Sequence, residues 1–221
     1  MGALAVSAAA GSAATKLTAV SRANLCVTEG VIEELPSSRL SVDTSKMRAY
    51  VNATAAQSVE ARFTYVGPTA SDAPLGSGQI RRQFGLKLRA QDACNLVYAM
   101  WRFEPKSMLV VSLKRNPGQH TSAQCGNRGY RNISPRFSAP IPTLRPGDAH
   151  TLRAELIDAQ LTIFVDNTLA WRGSVAPVAG QLDGAVGIRS DNVRLQIELR
   201  APIGGQAGSA RDCRPDAESS E

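Results

Sequence analysis

The chain has no Cys-x-x-Cys pair, and neither of its two histidines stands at zinc-finger spacing from a cysteine. A structural zinc site is therefore not expected. Dense runs of lysine and arginine are also missing. The electrostatic footprint of a nucleic-acid binder is thus absent, and no nucleic-acid partner is expected. No stretch is long and apolar enough to span a membrane. Aromatic residues make up 5% of the chain against a hydrophobic fraction of 43%, so a packed interior has to rest on aliphatic side chains. Helical periodicity is lacking too: no segment of useful length repeats its apolar residues every three to four positions.

What is present is alternation. From Ser58 onward, "VEARFTY" sets Val59, Ala61, Phe63 and Tyr65 on one face against Glu60, Arg62 and Thr64. "FGLKLR" sets Phe84, Leu86 and Leu88 against Lys87 and Arg89, and "NLVYAMWRFE" sets Val97, Ala99, Trp101 and Phe103 against Tyr98, Met100, Arg102 and Glu104. "MLVVSLKR", "TLRAELI", "LTIFVD", "VGIR" and "VRLQIEL" repeat the pattern. These are half-buried antiparallel strands. "EPKS", "RPGD" and "VDN" are turns between them. The length of 221 residues is ample for a core. It divides into a flexible leader or signal remnant at 1–16, a single β-sandwich domain at 17–201 and a flexible Gly/Ala/Ser-rich tail at 202–221. The net charge of +6 is dominated by arginine. It reads as ordinary arginine usage or as attraction for an anionic partner such as an acidic polysaccharide.

Four widely spaced cysteines, Cys26, Cys94, Cys125 and Cys213, suit two disulfides. Three pairings are open. The preferred one joins Cys94 to Cys125, closing a hairpin region, and Cys26 to Cys213, tying the two ends of the domain. A closed loop of ~30 residues would be stabilised by roughly 3 kcal/mol. Disulfides imply an oxidising setting: secreted, periplasmic or cell-surface.

"HTLRAELIDAQLTIFVDNTLAWRG" followed by "GQLDGAVGIRSDNVRLQIEL" resembles the C-terminal strands of concanavalin A-like (laminin G-like) jelly rolls. There, a strand ending in VDG or VDN precedes a G-x-V/I-G-L/I-R strand. "FGLKLRAQDACNLVYAMWRF" resembles their middle strands. The resemblance runs from about Arg62 to Arg200 and implies an all-β jelly-roll sandwich of two antiparallel sheets, one of them concave. The superfamily holds lectins, glycoside hydrolases, lyases and adhesion modules, so it implies little about activity.

Two groups of candidate binding residues follow. Lys87, Arg89, Tyr98, Arg102, Glu104, Ser112 and Lys114 should project from one side of a sheet if their strands are neighbours. Guanidinium forks and tyrosine rings on such a face suit an acidic or hydroxyl-rich glycan. The second group, His120, Asn127, Arg128, Tyr130 and Arg131, would be displayed from a loop stapled through Cys125. A Cys125–His120 nucleophile pair would instead need a free thiolate. The Glu-x-Asp-x-x-Glu pattern of the superfamily's glucanases is absent, and Gly118–His120 is a faint echo of its lyases. No catalytic residue is assigned. No cofactor is expected. Calcium is common in the superfamily, but turn chemistry explains the oxygens of Asp166–Asn167 and Ser190–Asn192 equally well. Three functions are carried, in order: a secreted carbohydrate-binding, lectin-like module, a polysaccharide hydrolase or lyase, and a non-catalytic surface or adhesion module with a protein partner.

Overall fold

A computed structural model describes residues 16–52, 56–177 and 181–203. Most of the expected leader and tail, together with Cys213, lies outside the described residues. Strands are numbered in chain order. The first sheet contains β1 (Thr18–Ala19), β3 (Glu33–Leu35), β4 (Arg39–Val42), β6 (Ser58–Pro68), β11 (Phe137–Ser138), β12 (Ala149–Ile157), β13 (Gln160–Val165), β14 (Thr168–Ser174) and β16 (Val193–Ala201). Its order is β11-β14-β13-β12-β6-β16-β4-β3, with β1 also paired to β16. The second contains β2 (Leu25–Glu29), β5 (Lys46–Val51), β7 (Gln83–Arg89), β8 (Leu96–Arg102), β9 (Met108–Lys114), β10 (Tyr130–Asn132) and β15 (Gly184–Asp191), in the order β10-β9-β8-β7-β15-β5-β2. The pairings are antiparallel. The molecule is thus a two-sheet β-sandwich.

The inner faces are those the alternation selects. Val59, Ala61, Phe63 and Tyr65 of β6 meet Phe84, Leu86, Ala99 and Trp101 of β7 and β8 in one continuous core. The Phe63 ring lies 5.0 Å from Phe84 and 5.7 Å from Trp101, the latter edge-to-face at 90°. Such contacts add to the area these rings bury. The indole N–H of Trp101 is satisfied by Ser107 Oγ at 2.9 Å. Asp166 and Asn167 turn the β13–β14 hairpin with φ of 48° and 63°. That left-handed pair is what a two-residue primed turn needs, which explains the "VDN" sequence. A short α-helix, α1 (Ser122–Cys125), lies in a loop whose sequence carries no helical period.

Candidate binding groove

The outer face of the second sheet, opposite the core, holds a groove of about 480 Å3. Register builds it in rows. Gln83 of β7, Arg102 of β8 and Met108 of β9 lie side by side at one end. Next come Arg48 of β5, Arg189 of β15, Gly85 and Met100. A third row carries Tyr50, Gly187, Lys87, Tyr98, Ser112 and Asn132. Lys114 and Tyr130 close the far end beside Leu96. A Cβ at Gly187 would collide with the Ala49 carbonyl oxygen. With no side chain there, Lys87 reaches across to set its Nζ 3.8 Å from the Tyr50 ring.

Lysine and arginine outnumber the lining carboxylate, Glu29, by seven to one. Beneath Arg48 and Arg189 sits Asp191, whose side chain is 0% exposed. Its carboxylate accepts from Arg48 Nη2 at 2.7 Å, Arg189 Nε at 2.9 Å and Gln83 Nε2 at 2.6 Å. Burial alone would raise its pKa, but the two guanidinium groups outweigh that and hold it well below the usual carboxylate range. Burial likewise opposes the charge on Arg189, and Asp191 more than restores it.

The rings are held between cations. Tyr98 and Tyr130 stack with centroids 6.0 Å apart. The Arg189 guanidinium lies 5.1 Å from the Tyr98 ring and Lys114 Nζ 5.1 Å from the Tyr130 ring, both within cation–π range. Burial, reinforced by Tyr130, pushes the Tyr98 phenol far up. Burial also acts to raise Tyr130, but Arg189 and Lys114 prevail and bring it down. Tyr130 stays 38% exposed at the rim.

Two loops wall the groove. The β6–β7 loop is clamped by buried Asn192, which bonds Ala73 N at 2.7 Å and donates to the carbonyls of Ala73 and Arg81 at 2.9 and 3.1 Å. The β9–β10 loop is stapled by the Cys94–Cys125 disulfide, the first of the two expected bridges. Cys125 is therefore no thiolate, and the Cys–His nucleophile is excluded. Asn116 braces the loop by donating to Arg128 O at 3.0 Å. Gly129, at φ 76°, leaves Asn116 the room to do so. The loops leave opposite ends of the sheet, yet they touch: a Cβ on Gly76 would lie 3.3 Å from the Asn127 Cβ.

Of the residues chosen from sequence, Lys87, Tyr98, Arg102, Ser112, Lys114, Asn127 and Tyr130 line this one groove. Arg89, Glu104, His120, Arg128 and Arg131 do not. Arg89 ends β7 at φ 45°, which breaks the alternation. Glu104 lies beyond the end of β8 and pairs with Arg82 at 2.5 Å. The His120 side chain, 69% exposed, bonds Asp92 through Nδ1 at 2.8 Å. Arg128 folds back onto Gln124 O and Cys125 O. Arg131 alternates with groove-lining Tyr130 and Asn132, so it points away. Arg48, Tyr50 and Arg189 were missed, although the period-two pattern of "KMRAYV" and "VGIRSD" could have found them. Asp166, whose oxygens were weighed for calcium, bonds His150 Nδ1 at 2.7 Å and accepts from Thr151 N at 2.8 Å.

No protein-family model matches the chain. No curated protein matches its sequence. Solved structures do match its shape. The carbohydrate-binding module CBM66 from Bacillus subtilis is similar with a TM-score of 0.55 at 13% identity, over 79% of this chain and 92% of that one. The Emp46p carbohydrate recognition domain, in its potassium-bound form, gives 0.51 at 14% identity over 83% and 90%. The Emp47p carbohydrate recognition domain gives 0.51 at 12% identity over 88% and 100%. The chain folds as a concanavalin A-like jelly roll of two antiparallel sheets.

Proposed function

We propose that the protein is a carbohydrate-binding module that takes a polysaccharide of acidic character in the groove of the seven-stranded sheet. The observation that carries this reading is the column of Arg189, Tyr98, Tyr130 and Lys114, in which two stacked rings stand between two cations along a recessed face. Of the two rings Tyr130 is exposed; an exposed ring suits the C–H face of a sugar, and fixed N–H donors suit hydroxyl and acid oxygens. The likeness in fold to a carbohydrate-binding module and to two carbohydrate recognition domains supports the same reading. The buried disulfide supports an exported setting, secreted, periplasmic or cell-surface.

The test is a glycan array of neutral and acidic polysaccharides, probed at two salt concentrations with the native protein and with Tyr130→Ala. Saturable binding that survives the higher salt, and that Tyr130→Ala weakens roughly tenfold, is expected. Binding that vanishes with salt would reduce the groove to a basic surface and contradict the proposal. So would an array with no binding at all.

A further inference from the structure

We infer that Arg81 and Arg102 form an anion subsite at the end of the groove away from the disulfide-stapled loop, where they take the carboxylate or sulfate of one acidic sugar residue. The inference rests on the groove reading and locates the ligand's charge within it.

The groove's cations are not equivalent. Arg48 and Arg189 are bonded to Asp191. Arg102 has no such partner among the described residues. In its own row, Gln83 is committed to Asp191, and Met108 offers a thioether 4.0 Å from Arg102 Nη1. Arg102 Nε is buried with no hydrogen-bond partner among the described residues. Arg81 lines the same end, and its guanidinium bonds the neutral side-chain oxygen of Gln79. The carboxylates of the adjoining segments, Asp72 and Glu104, both go to Arg82, at 3.0 and 2.5 Å. Two guanidinium groups thus face one recess without a counter-ion among the described residues. Burial and then the neighbouring charge of Arg81 both weaken the hold of Arg102 on its proton. A fold gains nothing from setting like charges together at a half-buried place, whereas an incoming oxyanion satisfies both forks at once. The opposite end carries Lys114 against Tyr130 and is suited to the sugar ring itself. Strand β8 separates the two ends by roughly 20 Å, so a ligand contacting both must extend over several sugar units.

The experiment measures affinity by calorimetry for two matched pairs: a uronate oligosaccharide with its carboxyl-reduced form, and a sulfated oligosaccharide with its desulfated form. The native protein should prefer the acidic member of one pair about tenfold or more. The pair showing that preference identifies the oxyanion. Arg102→Gln and Arg81→Gln should each bring the ratio of affinities close to one. Arg62→Gln, on the other sheet, should leave it intact. Arg102→Gln should also melt no lower than the native protein, because a like-charge contact has been relieved. A preference that persists in Arg102→Gln, or equal affinity of the native protein for both members of each pair, would overturn the subsite and leave the groove as a sugar site. No binding of any of the four would overturn both.

Discussion

Asp191 shows how a single residue holds the groove in shape. Its carboxylate lies beneath two arginines with no exposure to water, and it accepts from both. Removing one partner of such a cluster leaves buried charge uncompensated. Asp191→Asn is therefore expected to cost about 3–5 kcal/mol in urea unfolding at neutral pH. The pH dependence follows from the direction of its shift. Its native pKa is depressed below the ordinary value of about 3.9, so its contribution is complete above that value. It is lost as the pH falls below about 4 and through the native pKa. Unfolding of the native protein between pH 5 and pH 2 should steepen in that window, and that of Asp191→Asn should be flatter. None of this was legible residue by residue. "VGIRSD" marks Val186 and Ile188 as inward and leaves Arg189 and Asp191 on the other face, but their meeting with Arg48 depends on β5 and β15 being neighbours. That pairing joins segments far apart in the chain, and local alternation carries no information about it.

At the scale of elements, strand β8 was readable almost to its last residue. Val97, Ala99 and Trp101 face the core, while Tyr98, Met100 and Arg102 face the groove, as period two requires. The extrapolation failed one step further, at Glu104, because alternation ends with the strand and the chain there turns toward Arg82. Arg89 failed for a related reason, since a left-handed residue ends the pleat of β7. The stapled β9–β10 loop was readable as a loop and as one half of a disulfide, but not as a wall. Its cross-bracing comes from Asn95 and Asn116, whose side chains bond backbone across the staple. Replacing both Cys94 and Cys125 by serine should cost about 3 kcal/mol of stability. It should also weaken saccharide binding measured at a temperature where the variant remains folded, because Asn127 and Tyr130 are placed by that loop. Unchanged affinity would show that the staple serves stability alone.

On the scale of the whole molecule, the sandwich rests on two sheets whose inner faces were chosen by the alternation of Val, Ile, Leu and Phe, and the likeness to concanavalin A-like jelly rolls was carried by the middle and last strands. The concavity was another matter. It is walled by the β6–β7 loop, whose sequence has no period and whose position is set by Asn192, the residue that follows β15. A sheet face can be inferred from sequence; the depth of a groove depends on loops that only tertiary contacts place. The measurement that tests the groove most directly is backbone amide chemical-shift mapping by NMR, during titration with a polysaccharide fragment selected on the array. Shifts should concentrate on the strands and loops that carry Lys87, Tyr98, Arg102, Asn127 and Tyr130. Shifts concentrated instead around Arg62, Thr151 and Gln196 on the nine-stranded sheet, or none at saturating ligand, would contradict it.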